Sequence, residues 1–371
     1  MRRELYLALL IVSIVLISGC SGLPFGVFGS DVLDVRTSVT QDSVKDVLEL
    51  KDALIIPSPP LLPGQPVLLS FVLENKDDTR NARNVYVKLF NAPLFRSSED
   101  RMLCNSAGCL PDRCSLDEDP PCKFLPGEEK QINFNLVAPS EAEIAGIKTD
   151  TTLDYSVSYD FTGAFLYSVP VVSEQEIAKL QRSRDKLTVS IQKAHSSGPV
   201  KIDADLQGAS YILSSQPAVI NFKVQNRGSG ILNGSRIQEN IASPFQSAFS
   251  RANLLTSLLN SFFPGPSLPE LQVPEELIKG IVIKFPEDFV VTPPNNFACD
   301  PDNLCYNTAP IDLFRDESRV SMRFTVRLRD TAEFSSGAVP FRSYQILSLV
   351  GYTYELRNSV SATINPFQNV G

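Results

Sequence analysis

A stretch of 13 residues that occurs twice, with changes, constrains the fold of this chain more than any other feature. Residues 63–75 and residues 214–226 both begin with turn-forming residues and Gln-Pro, continue as a β-type segment and end on asparagine. Phe71 and Phe222 hold the same place in the two copies. The repetition predicts a chain built from two similar β units.

The predicted strands that follow the two copies also occur in the same order. Residues 84–91 and 131–137 are predicted strands after the first copy, and residues 280–286 and 320–326 match them after the second. A segment with cysteines lies between the matched strands in both units. Short strands with alternating apolar residues and turn signals are typical of a β-sandwich. We therefore expect an all-β chain with a duplicated sandwich domain.

The overall composition agrees with a globular protein and argues against nucleic-acid binding. The chain has 371 residues, of which 43% are apolar and 20% are charged, and this suits two or three domains with real cores. The net charge is −8, whereas phosphate contacts require a dense face of lysine and arginine. The 27 prolines favour short strands and turns over long helices.

The first 20 residues carry the signature of export. Arg2 and Arg3 precede the apolar run 5–17, and small residues precede Cys20, as in a secretory signal. The sequence Ile-Ser-Gly-Cys that ends at Cys20 resembles a bacterial or archaeal lipobox. The resemblance implies cleavage before Cys20, lipid on its sulfur and anchoring to the outer face of a membrane. The alternative is an uncleaved anchor helix, although a full span needs about 20 apolar residues. Both place the body outside the cytoplasm.

The cysteine count supports this location. Six cysteines remain when Cys20 is assigned to lipid: Cys104, Cys109, Cys114, Cys122, Cys299 and Cys305. An even number in an exported chain predicts three disulfides. Cys299 and Cys305 lie alone in their half and are expected to pair, whereas the other four allow three pairings. Zinc is the alternative for those four, but they lack a Cys-x-x-Cys knuckle and a nearby histidine. No metal site is predicted.

These signals divide the chain into five parts. They are a signal or anchor segment at 1–19, a tether at 20–45, a first sandwich with a cysteine-rich loop at 46–172, a helix and strand linker at 173–199, and a second sandwich at 200–371. In the linker, Ser173 is expected to cap a short helix, with Glu176 at the capping-box distance. A strand at 187–191 and an exposed hinge at 195–199 are predicted to follow.

The second unit also contains a predicted helical insertion at about 236–279, about 40 residues longer than the matching part of the first unit. After a Ser-Pro helix start at 243–244, apolar residues follow at helical spacing: Phe245, Ala248, Phe249, Ala252, Leu255, Leu258, Leu259 and Phe262. One interpretation is a helix that packs on its own sandwich. The other is a docking element for a partner or the membrane surface. Its candidate partner-binding residues are Phe245, Phe249, Leu255, Leu258, Leu259 and Phe262.

The sequence predicts no catalytic residue. His195 is the only histidine and lies in the Gly/Pro/Ser hinge, where a solvent-facing linker residue is expected. Motifs of nucleotide binding, zinc proteases and serine hydrolases are absent from the sequence. Residues 300–303 begin like a calcium loop but lack its later glycine and glutamate. Asn233 begins an Asn-Gly-Ser glycosylation motif. We therefore expect a non-enzymatic protein without a cofactor.

The predicted strands resemble the opening strands of immunoglobulin-like modules of cell-surface proteins. Residues 71–75 followed by 85–89, and residues 222–226 followed by 281–285, are similar to the CARDB-type adhesion modules of bacteria and archaea. The resemblance implies two tandem immunoglobulin-like β-sandwiches that act as a surface spacer or interaction domain. It transfers no site residues to this chain.

The expected function is a membrane-anchored interaction or scaffold module of a prokaryotic cell envelope or surface assembly, with an envelope protein as partner. The alternative is a surface lipoprotein that binds a carbohydrate or small ligand, with or without hydrolysis, in a cleft between the units. A deep polar cleft with converging carboxylates would favour this alternative. A flat apolar patch of the size of a protein interface would favour the scaffold.

Overall fold

The computed structural model describes residues 33–41, 46–78, 80–97, 103–104, 123–232, 236–237, 280–313 and 320–367. Within these ranges the chain consists mainly of β-strands arranged in several sheets, and it contains two short helices, α1 (Glu174–Ser183) and α2 (Ala332–Ser335). The all-β class predicted from the sequence is confirmed. In the part of the chain that the structure describes, no helix has the length and apolar character needed to cross a membrane.

A central sheet of 11 strands joins both halves of the chain. Its strands are β1 (Leu33–Gln41), β4 (Ala82–Asn91), β7 (Lys123–Phe124), β9 (Thr149–Val172), β10 (Leu187–His195), β12 (Ile212–Leu213), β14 (Ile231–Leu232), β16 (Gly280–Lys284), β18 (Phe297–Cys299), β19 (Leu304–Asn307) and β22 (Phe341–Ile364). The main order is β1-β10-β9-β22-β16-β19-β18. Strands β4 and β12 pair with β9, β14 pairs with β22, and β7 pairs with β4.

Smaller sheets lie beside the central one. A five-stranded sheet is formed by β2 (Leu48–Ile56), β3 (Pro66–Asn75), β5 (Arg96–Ser97), β6 (Leu103–Cys104) and β8 (Glu129–Val137). A four-stranded sheet is formed by β11 (Val200–Leu206), β13 (Ala218–Asn226), β17 (Phe289–Thr292) and β21 (Val320–Leu328). A two-stranded sheet is formed by β15 (Arg236–Ile237) and β20 (Ile311–Asp312). The repeated stretches of the sequence thus supply β3 and β13, the inner strands of two corresponding sheets.

Strands β9 and β22 are each 24 residues long and pair antiparallel from end to end, with Thr149 opposite Ile364. Gly163 lies within β9 and remains in the ladder opposite Val350. A Cβ atom at this position would lie 3.2 Å from the carbonyl oxygen of Val200, so the glycine permits a close approach of backbone. The pairing of two distant segments therefore makes both strands continuous.

The repeated phenylalanines occupy equivalent positions in one contiguous core. Phe71 stacks on Tyr155 of β9 with ring centroids 4.4 Å apart. Phe222 packs edge-on against Phe324 of β21, with ring centroids 5.5 Å apart. The predicted alternation of strand β3 is confirmed, because its apolar odd-numbered residues Val67, Leu69, Phe71 and Leu73 are all buried. Burial of such aromatic rings supplies a large part of the packing of this core.

The linker between the two units is more ordered and more buried than the sequence suggested. The predicted helix is present as α1, and its cap is confirmed, since Ser173 Oγ accepts the N–H of Glu176 at 3.1 Å. The predicted strand at 187–191 extends to His195 as β10. The expectation of an exposed hinge at 195–199 is wrong, because Ser196 to Pro199 are buried. Within the expected tether, residues 33–41 form β1, which pairs in parallel with β10.

Candidate functional site

The most developed polar site in the described residues lies where the two halves meet. It joins the turn after β3 to the segment between β10 and β11. Asp77 and Ser197 are each only 1% exposed, and the Ser197 hydroxyl donates to Asp77 Oδ2. Arg80 completes the site, because its Nη2 donates to Ser197 Oγ at 2.5 Å and its Nη1 donates to the Thr162 carbonyl at 3.0 Å. The guanidinium also lies 4.7 Å from the centroid of the Phe161 ring.

In this arrangement the buried carboxylate of Asp77 is paired with the guanidinium of Arg80 and accepts a hydrogen bond from the Ser197 hydroxyl. Arg80 Nε lies 3.4 Å from Asp77 Oδ2, and the backbone N–H of Arg80 donates to Asp77 Oδ1 at 3.0 Å. Because both carboxylate oxygens are occupied by groups of the protein, the cluster fixes the first half to the linker segment that leads into β11.

A second set of polar contacts joins the residue before β2 to the loop after β13. We call the region that contains this set and the Asp77–Arg80–Ser197 cluster the junction. The carboxylate of Asp46, just before β2, accepts the N–H of Ser229 at 3.0 Å. The Tyr354 hydroxyl donates to Asn226 Oδ1 at 3.0 Å and accepts the N–H of Gly230 at 2.8 Å. The start of the first half is thus bound to a loop of the second half, and Tyr354 of β22 holds that loop.

His195 lies beside the junction and does not face solvent as expected. Its ring packs on Phe165 with centroids 4.7 Å apart, and burial lowers its pKa to about 4. Nδ1 is enclosed and has no hydrogen-bond partner among the residues that the structure describes. The neighbouring Ser196 hydroxyl donates to the Ser197 carbonyl and accepts the N–H of Ala164 at 2.8 Å. The His195 ring is therefore uncharged at neutral pH and packs on Phe165.

Two carboxylates near His195 belong to an ion-pair cluster. Lys193 Nζ donates to Asp203 at 2.9 Å and to Asp205 at 2.7 Å, and Lys223 donates to Asp205 at 2.7 Å. Burial opposes the charge on Lys193, but the hydrogen bonds to Asp205 and Asp203 outweigh it and raise its pKa. Burial opposes the charge on Asp205, but the hydrogen bonds from Lys193 and Lys223 outweigh it and lower the pKa of this carboxyl. A carboxyl in this state does not suit the protonated member of a glycosidase pair.

The segment that resembles a calcium loop is a structural turn. Asp300 Oδ1 accepts the N–H of Asp302 at 3.0 Å and the N–H of Leu304 at 2.8 Å. Lys284 donates from its ammonium to the Asp302 carbonyl. Among the residues with described side chains, no three metal-ligating side chains come together. Asp300 therefore shapes the hairpin between β18 and β19.

A cleft of about 680 Å³ lies between α1 and the loop before β22. Its lining includes Glu174, Glu176, Lys179, Arg182, Gly337 and Pro340. Lys179 and Glu176 form an ion pair at 3.3 Å, one turn apart on α1. The cleft is lined mainly by one exposed helix face, which carries two carboxylates and two cationic groups.

The structure tests only part of the residue set predicted from the sequence. The Cys299–Cys305 disulfide is confirmed, with an S–S distance of 1.97 Å across β18 and β19. The backbone of Cys104 lies in β6 opposite Ile132, and its side chain is outside the described part. The other predicted residues also lie outside the described ranges: Cys20, Cys109, Cys114, Cys122, Asn233, Phe245, Phe249, Leu255, Leu258, Leu259 and Phe262.

Sequence reasoning missed the junction residues. The only available signal was the asparagine that ends both copies of the repeat, because a terminal asparagine often closes a turn onto its own backbone. Comparison with known proteins adds no assignment, since the sequence matches no protein-family model and no curated protein. The geometry of the chain itself therefore carries the functional argument.

Proposed function

We propose that this chain is a non-enzymatic, membrane-anchored extracytoplasmic protein that serves as a rigid scaffold or interaction module in a prokaryotic cell envelope or surface assembly. Its two halves are proposed to be tandem immunoglobulin-like sandwiches that share a central sheet. The observation that supports this proposal most directly is the uninterrupted pairing of β9 with β22 over 24 residues. A spacer must keep its length and orientation under load, and such a ladder resists bending.

The length of the shared ladder suits a spacer. At about 3.4 Å per residue, 24 residues extend over roughly 80 Å. Each half contributes one of the two long strands and packs its own smaller sheet against them. Relative motion of the halves would require this ladder and the Asp77–Arg80–Ser197 cluster to break together. Domains that are joined by a simple linker, by contrast, are expected to move relative to each other.

The packed junction favours the scaffold over a ligand site in a cleft between the units. Gly198 has a positive φ of 107°, and a Cβ atom there would lie 2.8 Å from both Phe161 and Tyr352. Even one methyl group therefore has no room at this point. The carboxylates near the junction, Asp77 and Asp205, are already bound by Arg80 and by lysines. A sugar site would need open space and free polar groups.

The anchor is proposed to be lipid on Cys20, or an uncleaved apolar helix. The chain enters the described fold through β1, whose nine residues pair with β10 at the edge of the central sheet. An N-terminal anchor would therefore be connected to the central sheet through β1, which is hydrogen-bonded to β10. The partner is proposed to be another envelope protein, and no nucleic acid is proposed.

The test begins with membrane fractionation of the full-length chain in a bacterial or archaeal host. The expected result is a membrane-bound protein with lipid mass at Cys20, and a Cys20→Ala variant without that mass. In vivo crosslinking is then expected to capture an envelope protein. A soluble wild-type chain would contradict the anchor, and saturable sugar binding would support the alternative function.

Rigidity is tested separately. Non-canonical amino-acid labels at the exposed positions Lys88 of β4 and Arg327 of β21 report the distance between the halves. A single narrow distance distribution is expected for the wild type. A broad distribution would show that the halves move independently and would contradict the spacer.

A further inference from the structure

Strand β1 ends the central sheet, and no strand within the described ranges pairs with its outer edge. Its nine residues pair with β10 alone and without a register shift. The side chains at its centre are exposed on both faces of the sheet, with Arg36 and Ser38 on one face and Thr37 and Val39 on the other. Val39 is 56% exposed. The backbone N–H and C=O groups along this edge therefore find no strand partner in the described part of the chain.

Other edge strands of the described sheets carry the features by which proteins protect such edges from pairing with another chain. Strands β5, β17 and β18 have only two to four residues. Strands β2 and β4 are interrupted by register shifts. Strand β11 carries three charged residues, Lys201, Asp203 and Asp205. Strand β1, by contrast, is long and its register is unbroken.

The composition of β1 also favours pairing along its free edge. The strand contains no proline, glycine or lysine, which are the residues that weaken or block an edge. Four of its nine residues are valine or threonine, and these β-branched residues suit a strand. Its two charges cancel, because Arg36 Nη2 lies 3.3 Å from Asp34 Oδ2. A long, regular edge strand without net charge is a template for a further strand.

The order of the residues in β1 suits antiparallel pairing with a second copy of the same strand. When Thr37 lies opposite Thr37 of the second copy, all nine residues overlap. Arg36 then lies opposite Ser38 of the second copy. Asp34 lies opposite Thr40 of the second copy, so no like charges face each other. A two-fold axis at Thr37 uses the free edges of both copies, and the assembly therefore closes at two chains.

We propose that the protein forms a two-fold dimer in which β1 pairs antiparallel with β1 of a second copy. The pairing joins the central sheets of the two copies into one sheet, and the ladder between β1 and β10 stays intact. A single pair of edge strands forms a small interface, so we expect association in the micromolar range. The inference goes beyond the proposed function, because it depends neither on the anchor nor on an envelope partner.

The first test measures self-association of the full-length chain in detergent by analytical ultracentrifugation. The wild-type chain should pass from monomer to dimer as its concentration rises. Thr37→Lys places two like charges opposite each other at the two-fold axis, and it should raise the dissociation constant of the dimer by at least about fivefold. Thr325→Lys is the matched control, because Thr325 is an exposed threonine on an inner strand of the four-stranded sheet. This control should leave the dissociation constant unchanged.

Disulfide trapping in the full-length chain tests the register. Thr37→Cys should crosslink two copies, and so should a mixture of Arg36→Cys and Ser38→Cys chains, because opposite residues have Cα atoms about 4.5–5.5 Å apart. Arg36→Cys alone and Ser38→Cys alone should not, since equal positions then lie diagonally, about 7–8 Å apart. Mass spectrometry of the peptides that carry the introduced cysteines identifies each crosslink.

Two outcomes overturn the proposal. One is a chain that stays monomeric up to submillimolar concentration, which would show that the edge of β1 does not pair with a second copy. The other is a dimer that Thr37→Lys does not weaken and that the cysteines at positions 36, 37 and 38 do not trap in the expected combinations. Self-crosslinking of Arg36→Cys alone belongs to this second outcome, because it would indicate parallel or shifted strands.

Discussion

Asn75 and Asn226, which end the two copies of the repeat, form the same turn in the two halves. Oδ1 of Asn75 accepts the N–H of Asp77 at 3.0 Å, and Oδ1 of Asn226 accepts the N–H of Gly228 at 3.0 Å. Nδ2 donates to the Arg80 carbonyl at 2.9 Å in the first half and to the Gly230 carbonyl at 3.0 Å in the second. Each asparagine thereby closes the loop that reaches the junction.

Substitution of Asn75 tests this role. Asn75 is 0% exposed, and its Nδ2 also donates to the Phe124 carbonyl at 3.0 Å. Asn75→Ala should lower the free energy of unfolding by about 3 kcal/mol, because it removes three hydrogen bonds and leaves buried backbone groups unpaired. Urea unfolding measures the change. Asn226→Ala should lower the free energy of unfolding by less, since Asn226 is only partly buried. An equal or larger decrease for Asn226→Ala would contradict this prediction.

Removal of Arg80 should destabilise the chain strongly. Arg80→Ala leaves the Asp77 carboxylate buried without its cation, and we expect a loss of about 3–5 kcal/mol in unfolding free energy. Arg96 provides a matched control because it pairs with Glu143 at 2.6 Å while its side chain is 69% exposed. Arg96→Ala should change stability by less than about 1 kcal/mol. Similar losses for the two variants would show that the buried Asp77 carboxylate does not depend on the Arg80 cation.

The pH dependence of stability should report His195. Burial lowers its pKa in the folded chain to about 4, whereas the unfolded value is 6.5. Between these values the unfolded state binds more protons, so stability is complete above about pH 6.5 and falls as the pH falls toward 4. The loss should be on the order of 2 kcal/mol, less than the full pKa difference implies, because the ring is partly exposed.

The His195 contribution is isolated by difference. Asp203 favours the protonated ring, while Lys201, Arg227 and Lys193 oppose it. Chemical unfolding of the wild type and of His195→Gln, from pH 4 to pH 8, should give curves whose difference is constant above pH 6.5 and changes below it. A difference that is constant over the whole range would mean that the histidine titrates alike in both states.

Gly198→Ala should disturb the junction through a clash as well as through backbone strain. Gly208 is the matched control, because it also has a positive φ, of 84°, but nothing lies within 4 Å of the point that a Cβ atom would occupy there. We expect Gly208→Ala to cost about 1 kcal/mol and Gly198→Ala about 2–3 kcal/mol more. Thermal unfolding of the two variants gives the comparison. Equal costs would show that the Phe161 and Tyr352 side chains move aside freely.

Local patterns predicted most of the individual strands. The alternation from Val67 to Leu73 and the repeat at 214–226 indicated strands that the structure confirms as β3 and β13. The Cys299–Cys305 pair was predicted from count and spacing, and Ser173 from capping chemistry. These features depend on residues close together in the chain, so a single sequence contains the information for them.

The junction depended on contacts between distant residues. Ser197 and Asp77 are 120 residues apart, and nothing in either local segment indicates that they meet. His195 stands in a stretch of glycine, proline and serine that is typical of an exposed hinge. Its burial follows from Phe165 and the neighbouring strands, which the local sequence does not contain.

The sequence by itself determined the all-β class and the positions of strands such as β3 and β13, because apolar alternation and turn residues act over a few neighbouring residues. Only the tertiary structure decided that β9 and β22 form one unbroken ladder, that residues 196–199 are buried and that the charged groups near them are paired. Those outcomes depend on free energies of burial and hydrogen bonding between segments that are far apart in the chain.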